Sequence, residues 1–413
     1  MSETMVPSPS PSIQSSSTME VLQALRSQLP PDLSEWRLDA RNEVWYPLID
    51  FFGSRGYTFW GGDPADCTTT LPKVYGAANT SGYGLVPALE CLPHEILEYF
   101  NIGTGVLQAA RMADGRDVVI RVVRMGAVGE MHLRILTVLG RGRWATVSRN
   151  HALPLYDTMD LGDITFAVFP KAGPQMSYAL NPIIRCSVGD VMDMIMQCLE
   201  ALEFLHSNRI AHRDASVRNF LVQYLPRSLK DANTKRTDNN SERGGSSESH
   251  GVPMGSAVPD AAEPGIGISE KTGVPESSES PPDPLPGRPR VYLIDFELAV
   301  MFPDDTPAHE QVCVGPLYGG TILEGNIHAH RCSPEVLTGE PYNPYLLDIW
   351  QFGTSLRFFR STIKEIDAMF ERMRDVDPTK RPSAGEALKQ LSGIVAGIVP
   401  RNLQIPPVEL GDS

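Results

Sequence analysis

From Lys230 to Arg290 the chain contains not one Phe, Trp or Tyr, and Ser, Pro, Gly, Asp and Glu dominate. Such a segment cannot bury enough apolar area to offset the entropy of ordering it. Just outside it lie two short β-rich runs, Phe220-Leu221-Val222 and Val291-Tyr292-Leu293-Ile294. They read as the two strands of a hairpin. Residues 226–289 then read as a disordered insertion in its loop. Closure entropy grows only logarithmically with loop length, so a hairpin tolerates an insertion of this kind. Its ends must still meet, and that draws Asn219, before the first strand, towards Asp295, after the second.

The rest of the chain is punctuated more conventionally. Residues 1–18 are rich in Ser and Pro and read as a disordered tail. Residues 19–99 read as an accessory segment, opening on a short amphipathic helix over 19–29. One further helix is expected from Glu43 to Phe52. Trp36, Trp45, Tyr46, Phe51, Phe52, Tyr57, Phe59 and Trp60 crowd this segment, as in a packed core rather than an aromatic ligand site. Residues 100–172 read as strands plus one helix, with β-rich runs at Val118–Val123 and Ile164–Phe169. Residues 187–206 carry Val191, Met194, Ile195, Cys198, Leu199, Leu202 and Leu205 at helical spacing, with Asp190 at the favourable end of the dipole. Residues 396–413 read as a C-terminal tail. The pattern is that of an α+β fold.

Bulk properties narrow the function. The chain has 413 residues, is 41% hydrophobic and carries a formal net charge of −14. That charge argues against general nucleic-acid or anionic-membrane binding, both of which favour basic patches. The six cysteines form no CxxC pair, so zinc and redox motifs have no support. No stretch approaches the roughly 18 to 20 apolar residues of a membrane span, and MSETMVPSPSPS lacks the basic and apolar regions of a secretory signal. An intracellular location, cytoplasmic or nuclear, is the expectation.

The motifs point further. His212-Arg213-Asp214 is followed five residues after the aspartate by Asn219, and Asp295-Phe296-Glu297 follows the second apolar run. Downstream stand Ser333-Pro334-Glu335, Asp348-Ile349-Trp350-Gln351-Phe352-Gly353, Asp377-Pro378 and Arg381-Pro382-Ser383-Ala384. Together these resemble the catalytic loop, metal-binding turn and later motifs of the eukaryotic protein kinases. With the N-terminal aromatic segment and the Arg-Val-Val-Arg run, the chain looks most like the divergent kinase-like proteins of fungi. The resemblance covers residues 100–395, the insertion excluded. It implies a bilobal fold, with a small, mostly β N-lobe at 100–172 and a larger, mostly α C-lobe at 173–225 and 290–395. It implies ATP and magnesium as cofactors and a protein substrate or partner.

The same resemblance assigns roles. Asp214 would be the catalytic base and Arg213 a brace for the activation segment. Asn219 and Asp295 would hold magnesium on the ATP phosphates. His212 and Asp348 would support the catalytic loop, and Arg381 would pair with Glu335. Candidates for regulatory phosphorylation are Thr306, Tyr318 and Thr321.

The departures cluster where the nucleotide would sit. Gly103-Thr104-Gly105 begins a phosphate loop, but Gln108 stands where its third glycine is expected. Arg121 replaces the family's strand lysine; it would contact the phosphates or fill their space. Its usual glutamate partner falls at His132, and an Arg121–Glu130 pair requires a rotated helix, because two residues turn a helix by about 200°. Ser216 replaces a lysine, and Arg218 stands where a compensating charge near the γ-phosphate is expected. Glu297 replaces the glycine of the metal turn, stiffening it or adding an oxygen ligand. His328 replaces a threonine, and the short stretch 354–376 implies shortened substrate-docking helices. The leading reading is transfer of the ATP γ-phosphate to a protein Ser or Thr hydroxyl. The alternatives are a pseudokinase scaffold, which Arg121 and His132 favour, and a small-molecule phosphotransferase of the choline or aminoglycoside kinase type, whose signature Ile294-Asp295-Phe296-Glu297 matches.

Overall fold

The computed structural model describes residues 13–38, 43–63, 68–70, 99–101, 104–179, 187–223, 289–317 and 332–409. Gly103, Tyr318, Thr321, His328 and all of the 226–289 insertion but Pro289 lie outside these residues.

The fold is α+β. Its N-terminal part is built on a five-stranded antiparallel sheet, ordered β1-β5-β6-β8-β7. Helices α1 (Ile13–Arg26), α2 (Leu33–Leu38) and α3 (Ile49–Gly53) precede strand β1 (Tyr57–Phe59). Strands β2 (Gly61–Asp63), β3 (Thr68–Thr70) and β4 (Tyr99–Asn101) form a separate three-stranded sheet. Strands β5 (Leu107–Met112) and β6 (Asp117–Met125) follow, then helices α4 (Glu130–Gly140) and α5 (Gly142–Ala145). Strands β7 (Asp157–Leu161) and β8 (Ile164–Pro170) complete the large sheet.

Strand β8 is buried along its whole length, and the alternation of its side chains explains its unbroken apolar run. Phe166 and Val168 enter one core with Trp36, Trp45 and Phe52, whereas Ala167 and Phe169 enter another with Ile135 and Leu139 of α4. The N-terminal helices cover the first face, so the aromatic-rich segment is core, as its composition suggests, except for Tyr46, which is exposed. Three expectations about that segment need correction. Helix α1 begins at Ile13, inside the stretch read as a disordered tail. Its Leu22 and Leu25 dock on the aromatic core, and propagation from a packed anchor adds one hydrogen bond per residue fixed. Residues 43–52 are not one helix. A 3-10 turn over Glu43–Leu48 contains Pro47, which has no N–H to continue an α-helical ladder, and α3 starts only after it. The segment is also more than an accessory, because β1 is an edge strand of the large sheet, with Phe59 opposite Ala110.

The remaining elements are mainly helical. Helix α6 (Met176–Ala179) leads to α7 (Val188–Ser207), whose start is fixed by a capping box between Ser187 and Asp190. Strands β9 (Ile210–Ala211), β10 (Phe220–Gln223), β11 (Arg290–Leu293) and β12 (Val300–Met301) follow. Strands β10 and β11 form an antiparallel hairpin, with Phe220 opposite Leu293 and Gln223 opposite Arg290. Next come α8 (Pro344–Ser355), β13 (Phe359–Arg360), α9 (Lys364–Met373), α10 (Ala384–Gly397) and β14 (Val408–Glu409). The stretch read as a C-terminal tail also folds back. Strand β14 pairs with β13, Leu403 is buried, and the Val188 N–H donates to the Ile405 carbonyl at 2.8 Å. Among the described residues no helix is long and apolar enough to cross a membrane.

Candidate active site

The hairpin brings the two halves of the site together. Asn219 closes a 3-10 turn just before β10, and the Ile294 N–H, just after β11, donates to the Asn219 carbonyl at 2.9 Å. Asp295 follows at once, with φ of 68°. Aspartate is one of the few non-glycine residues that enter this left-handed region, and here its side chain is held by Arg121 from across the site. Asp214 lies on the other side of Asn219, whose amide nitrogen donates to the Asp214 carbonyl at 2.8 Å and carboxylate at 2.9 Å. The nitrogen is thereby committed to Asp214, which leaves the Asn219 amide oxygen as the end suited to a cation.

Helix α8 holds the loop that carries Asp214. The fully buried Asp348 accepts the backbone N–H of His212 at 2.9 Å and that of Arg213 at 2.6 Å. The His206 ring Nε2–H donates to the same carboxylate at 2.9 Å. One helical turn on, Gln351 donates to the Arg213 carbonyl at 2.9 Å and accepts the Ala215 N–H at 3.0 Å. A turn further, the Ser355 hydroxyl accepts the Val217 N–H at 3.1 Å. Gln351 and Ser355 were missed in the sequence. Their spacing from Asp348, three and seven residues, puts all three on one helix face and was the available signal.

His212 Nδ1 accepts the Asp214 N–H at 3.3 Å, and its Nε2 donates to the Ile294 carbonyl at 2.9 Å. Its ring packs edge-on against Phe296, the centroids 5.0 Å apart, and so ties the two turns. Arg213, itself left-handed at φ 63°, donates to the Leu298 carbonyl and the Tyr342 hydroxyl, each at 3.3 Å. Among the described residues its side-chain partners are therefore the segment just after Asp295 and the residue before Asn343. Glu335 and Arg381 form a bidentate pair at 2.5 and 2.9 Å. Arg218 is exposed and makes no ion pair among the described residues.

The charge pattern around Asp295 is the least expected part. Arg121, in the middle of β6, donates through Nη2 to Asp295 Oδ1 at 2.7 Å and to Glu297 Oε2 at 3.2 Å. Glu297 Oε1 in turn accepts from Arg37 of α2 at 3.4 Å. The Arg121–Glu130 pair is not made. Glu130 is 70% exposed and lies 3.8 Å from Arg124, because its face of α4 points away from the sheet. His132 is buried on the inward face instead, and burial first, then the Arg121 charge, push its pKa down to about 3. Burial by itself would raise the Asp295 pKa, but Arg121, then His132 and His212, outweigh it and hold that carboxyl below its ordinary value. Burial likewise opposes the Arg121 charge, and Asp295 and Glu297 outweigh it, so the guanidinium pKa is raised.

Gly105 is buried, and its carbonyl accepts the Trp45 indole N–H at 2.7 Å, which ties the start of β5 to the aromatic core. Among the described residues no three or more His, Cys, Asp or Glu side chains are grouped to hold a metal. The oxygen donors that remain, Asn219 and Asp295, are hard ligands. They suit magnesium when phosphates and water complete its shell. No family model matches this chain, and no curated protein matches it significantly.

Proposed function

We propose that this chain is a divergent protein kinase with a bilobal kinase-like fold, transferring the γ-phosphate of ATP to a Ser or Thr hydroxyl of a protein. The observation that carries this reading is the Asn219 amide. Its nitrogen fixes Asp214 on one side, while the Asn219 backbone carbonyl, through Ile294, fixes the Asp295 turn on the other. Phosphoryl transfer is mostly positioning and charge neutralisation, and these contacts supply positioning. Asp214 orients the acceptor hydroxyl and takes its proton. Asn219 and Asp295 hold magnesium, which when bound neutralises charge on the phosphates. Arg121 lies against Asp295 and would supply positive charge to the phosphates, as would the exposed Arg218. Calorimetry of Mg-ATP binding to the wild type and Asp295→Ala tests the reading. Metal-dependent binding that Asp295→Ala abolishes is expected, and no binding at millimolar ATP by a folded sample would overturn it.

One observation favours a second reading, a pseudokinase that binds partners without turnover. Arg121 already neutralises Asp295 from within the protein, and Glu297 adds a second internal partner. On this reading Arg121 occupies the place of the nucleotide's cation, and the same titration would show no binding.

A further inference from the structure

The two hydrogen bonds made by Arg121 create a conflict that, among the described residues, Glu297 can resolve. Asp295 and Arg121 cannot stay fully paired while Asp295 also binds a cation. Arg121 is only 13% exposed, and a buried guanidinium stripped of its partner is strongly unfavourable. The helix facing it offers no substitute, since Glu130 points to solvent and His132 never carries a negative charge. Glu297 does offer one. It is 7% exposed against 25% for Asp295, so Asp295 is the carboxylate that an incoming cation reaches first.

The geometry points to Glu297 as the positioning residue of this site: it keeps Arg121 paired and in place when Asp295 turns to a divalent cation. The inference rests on the reading of Asp295 as a metal ligand given above. Three features fit it. One Arg121 nitrogen bridges both carboxylates, so shifting weight from Asp295 to Glu297 needs little side-chain movement. The second Glu297 oxygen is engaged by Arg37, which holds the carboxylate from the far side. The Phe296 ring between the two acids is buried against His212, so the turn presents both carboxylates to the same side chain. A residue other than glycine in this turn therefore has a use, as the counter-ion that leaves Asp295 free to change partners.

The test is calorimetric titration of the full chain with manganese or magnesium, without and with ATP. The proteins compared are wild type, Glu297→Gln, Arg121→Gln, the double variant and Asp295→Ala, with thermal unfolding in the absence of metal to show that each is folded. Glu297→Gln should weaken cation binding about tenfold, because Arg121 then depends on Asp295 alone. Arg121→Gln should not weaken binding of the metal alone. In the Arg121→Gln background the Glu297→Gln substitution should lose most of its effect, a coupling that a purely structural role would not produce. Glu297→Asp keeps the charge and should stay near wild type, and it carries the comparison if Gln disrupts folding. Equal affinity in the wild type and Glu297→Gln would overturn the inference. So would a loss that persists undiminished without Arg121, which would make Glu297 a direct cation ligand. If Asp295→Ala leaves cation binding unchanged, the metal-turn reading itself fails. If neither the wild type nor Arg121→Gln binds the cation, both fall.

Discussion

Asp348 accepts the backbone N–H of Arg213 at 2.6 Å from a fully buried position, and Arg213 is one of the few non-glycine residues held at positive φ among the described residues. The two facts belong together. A left-handed arginine costs about 1–3 kcal/mol and persists only where its surroundings over-determine it. Asp348, Gln351, Leu298 and Tyr342 all grip this one residue. Asp348→Ala would leave the His212 and Arg213 N–H groups buried without partners. It should lower unfolding free energy by about 3 kcal/mol or more, measured by urea denaturation. Arg213 should relax out of the left-handed region, and any Mg-ATP binding should be lost with it.

The hairpin and the long helix were legible because their signals are local. Two apolar runs bracket an aromatic-free stretch, and Val191 to Leu205 repeat at helical spacing. The contacts of Asp348 with the His212-Arg213-Asp214 loop and of Glu335 with Arg381 were legible through motif resemblance. What escaped reading is long-range or depends on competition. Nothing near Tyr57 says that it will pair with Met112. Nothing near Val408 says that it will meet Arg360. Arg121 finds its partners at Asp295 and Glu297, more than 170 residues away, because α4 faces the sheet with a histidine. Pro47 is visible in the sequence, and in the fold its missing N–H outweighs the apolar run around it.

The Glu335–Arg381 pair should show as acid sensitivity. Burial tends to raise the Glu335 pKa, but the paired hydrogen bonds from Arg381 outweigh it, so the folded value lies below the ordinary 4.5. A carboxyl depressed in the folded state contributes stability that is present above its unfolded pKa and lost as pH falls through its folded one. Stability should therefore decline below about pH 4.5, and Glu335→Gln should flatten that decline. At pH 7 the variant leaves the buried Arg381 half-paired and should be destabilised by about 3 kcal/mol, whereas replacing both residues with Met should cost less. Chemical denaturation across pH measures both effects.

His132 should act at higher pH. Its folded pKa of about 3 lies below the ordinary 6.5, so folding favours the neutral ring. The unfolded chain binds the proton more readily. Stability is thus fully present above pH 6.5 and is lost as pH falls from there towards 3. The slope should reach about 1.4 kcal/mol per pH unit. His132→Met, which keeps an apolar side chain of similar reach, should remove this limb and leave the one below pH 4.5 intact. A histidine NMR titration in which the His132 resonances stay neutral at pH 5 would agree; a ring that titrates near 6.5 would contradict the assignment.

The hairpin predicts that most of the chain between its strands is dispensable for folding. Gln223 and Arg290 are paired across it, and the Pro289 carbonyl accepts from Gln197 at 2.8 Å, so Pro289 belongs to the folded structure. Residues 225–288 can then be replaced by a turn of about four residues containing Gly, the usual scale of hairpin loops. Shortening a loop by this much reduces closure entropy by about 2 kcal/mol, since the cost scales with the logarithm of length. The shortened protein should therefore unfold at higher denaturant concentration with a similar folded-state circular dichroism spectrum. It should also retain whatever Mg-ATP affinity the full chain has, because Asn219 and Asp295 sit at the opposite end of both strands from the cut. Loss of the fold on shortening would mean that the excised residues contribute to the core, against their composition. Loss of nucleotide binding alone would place a ligand-binding role in them.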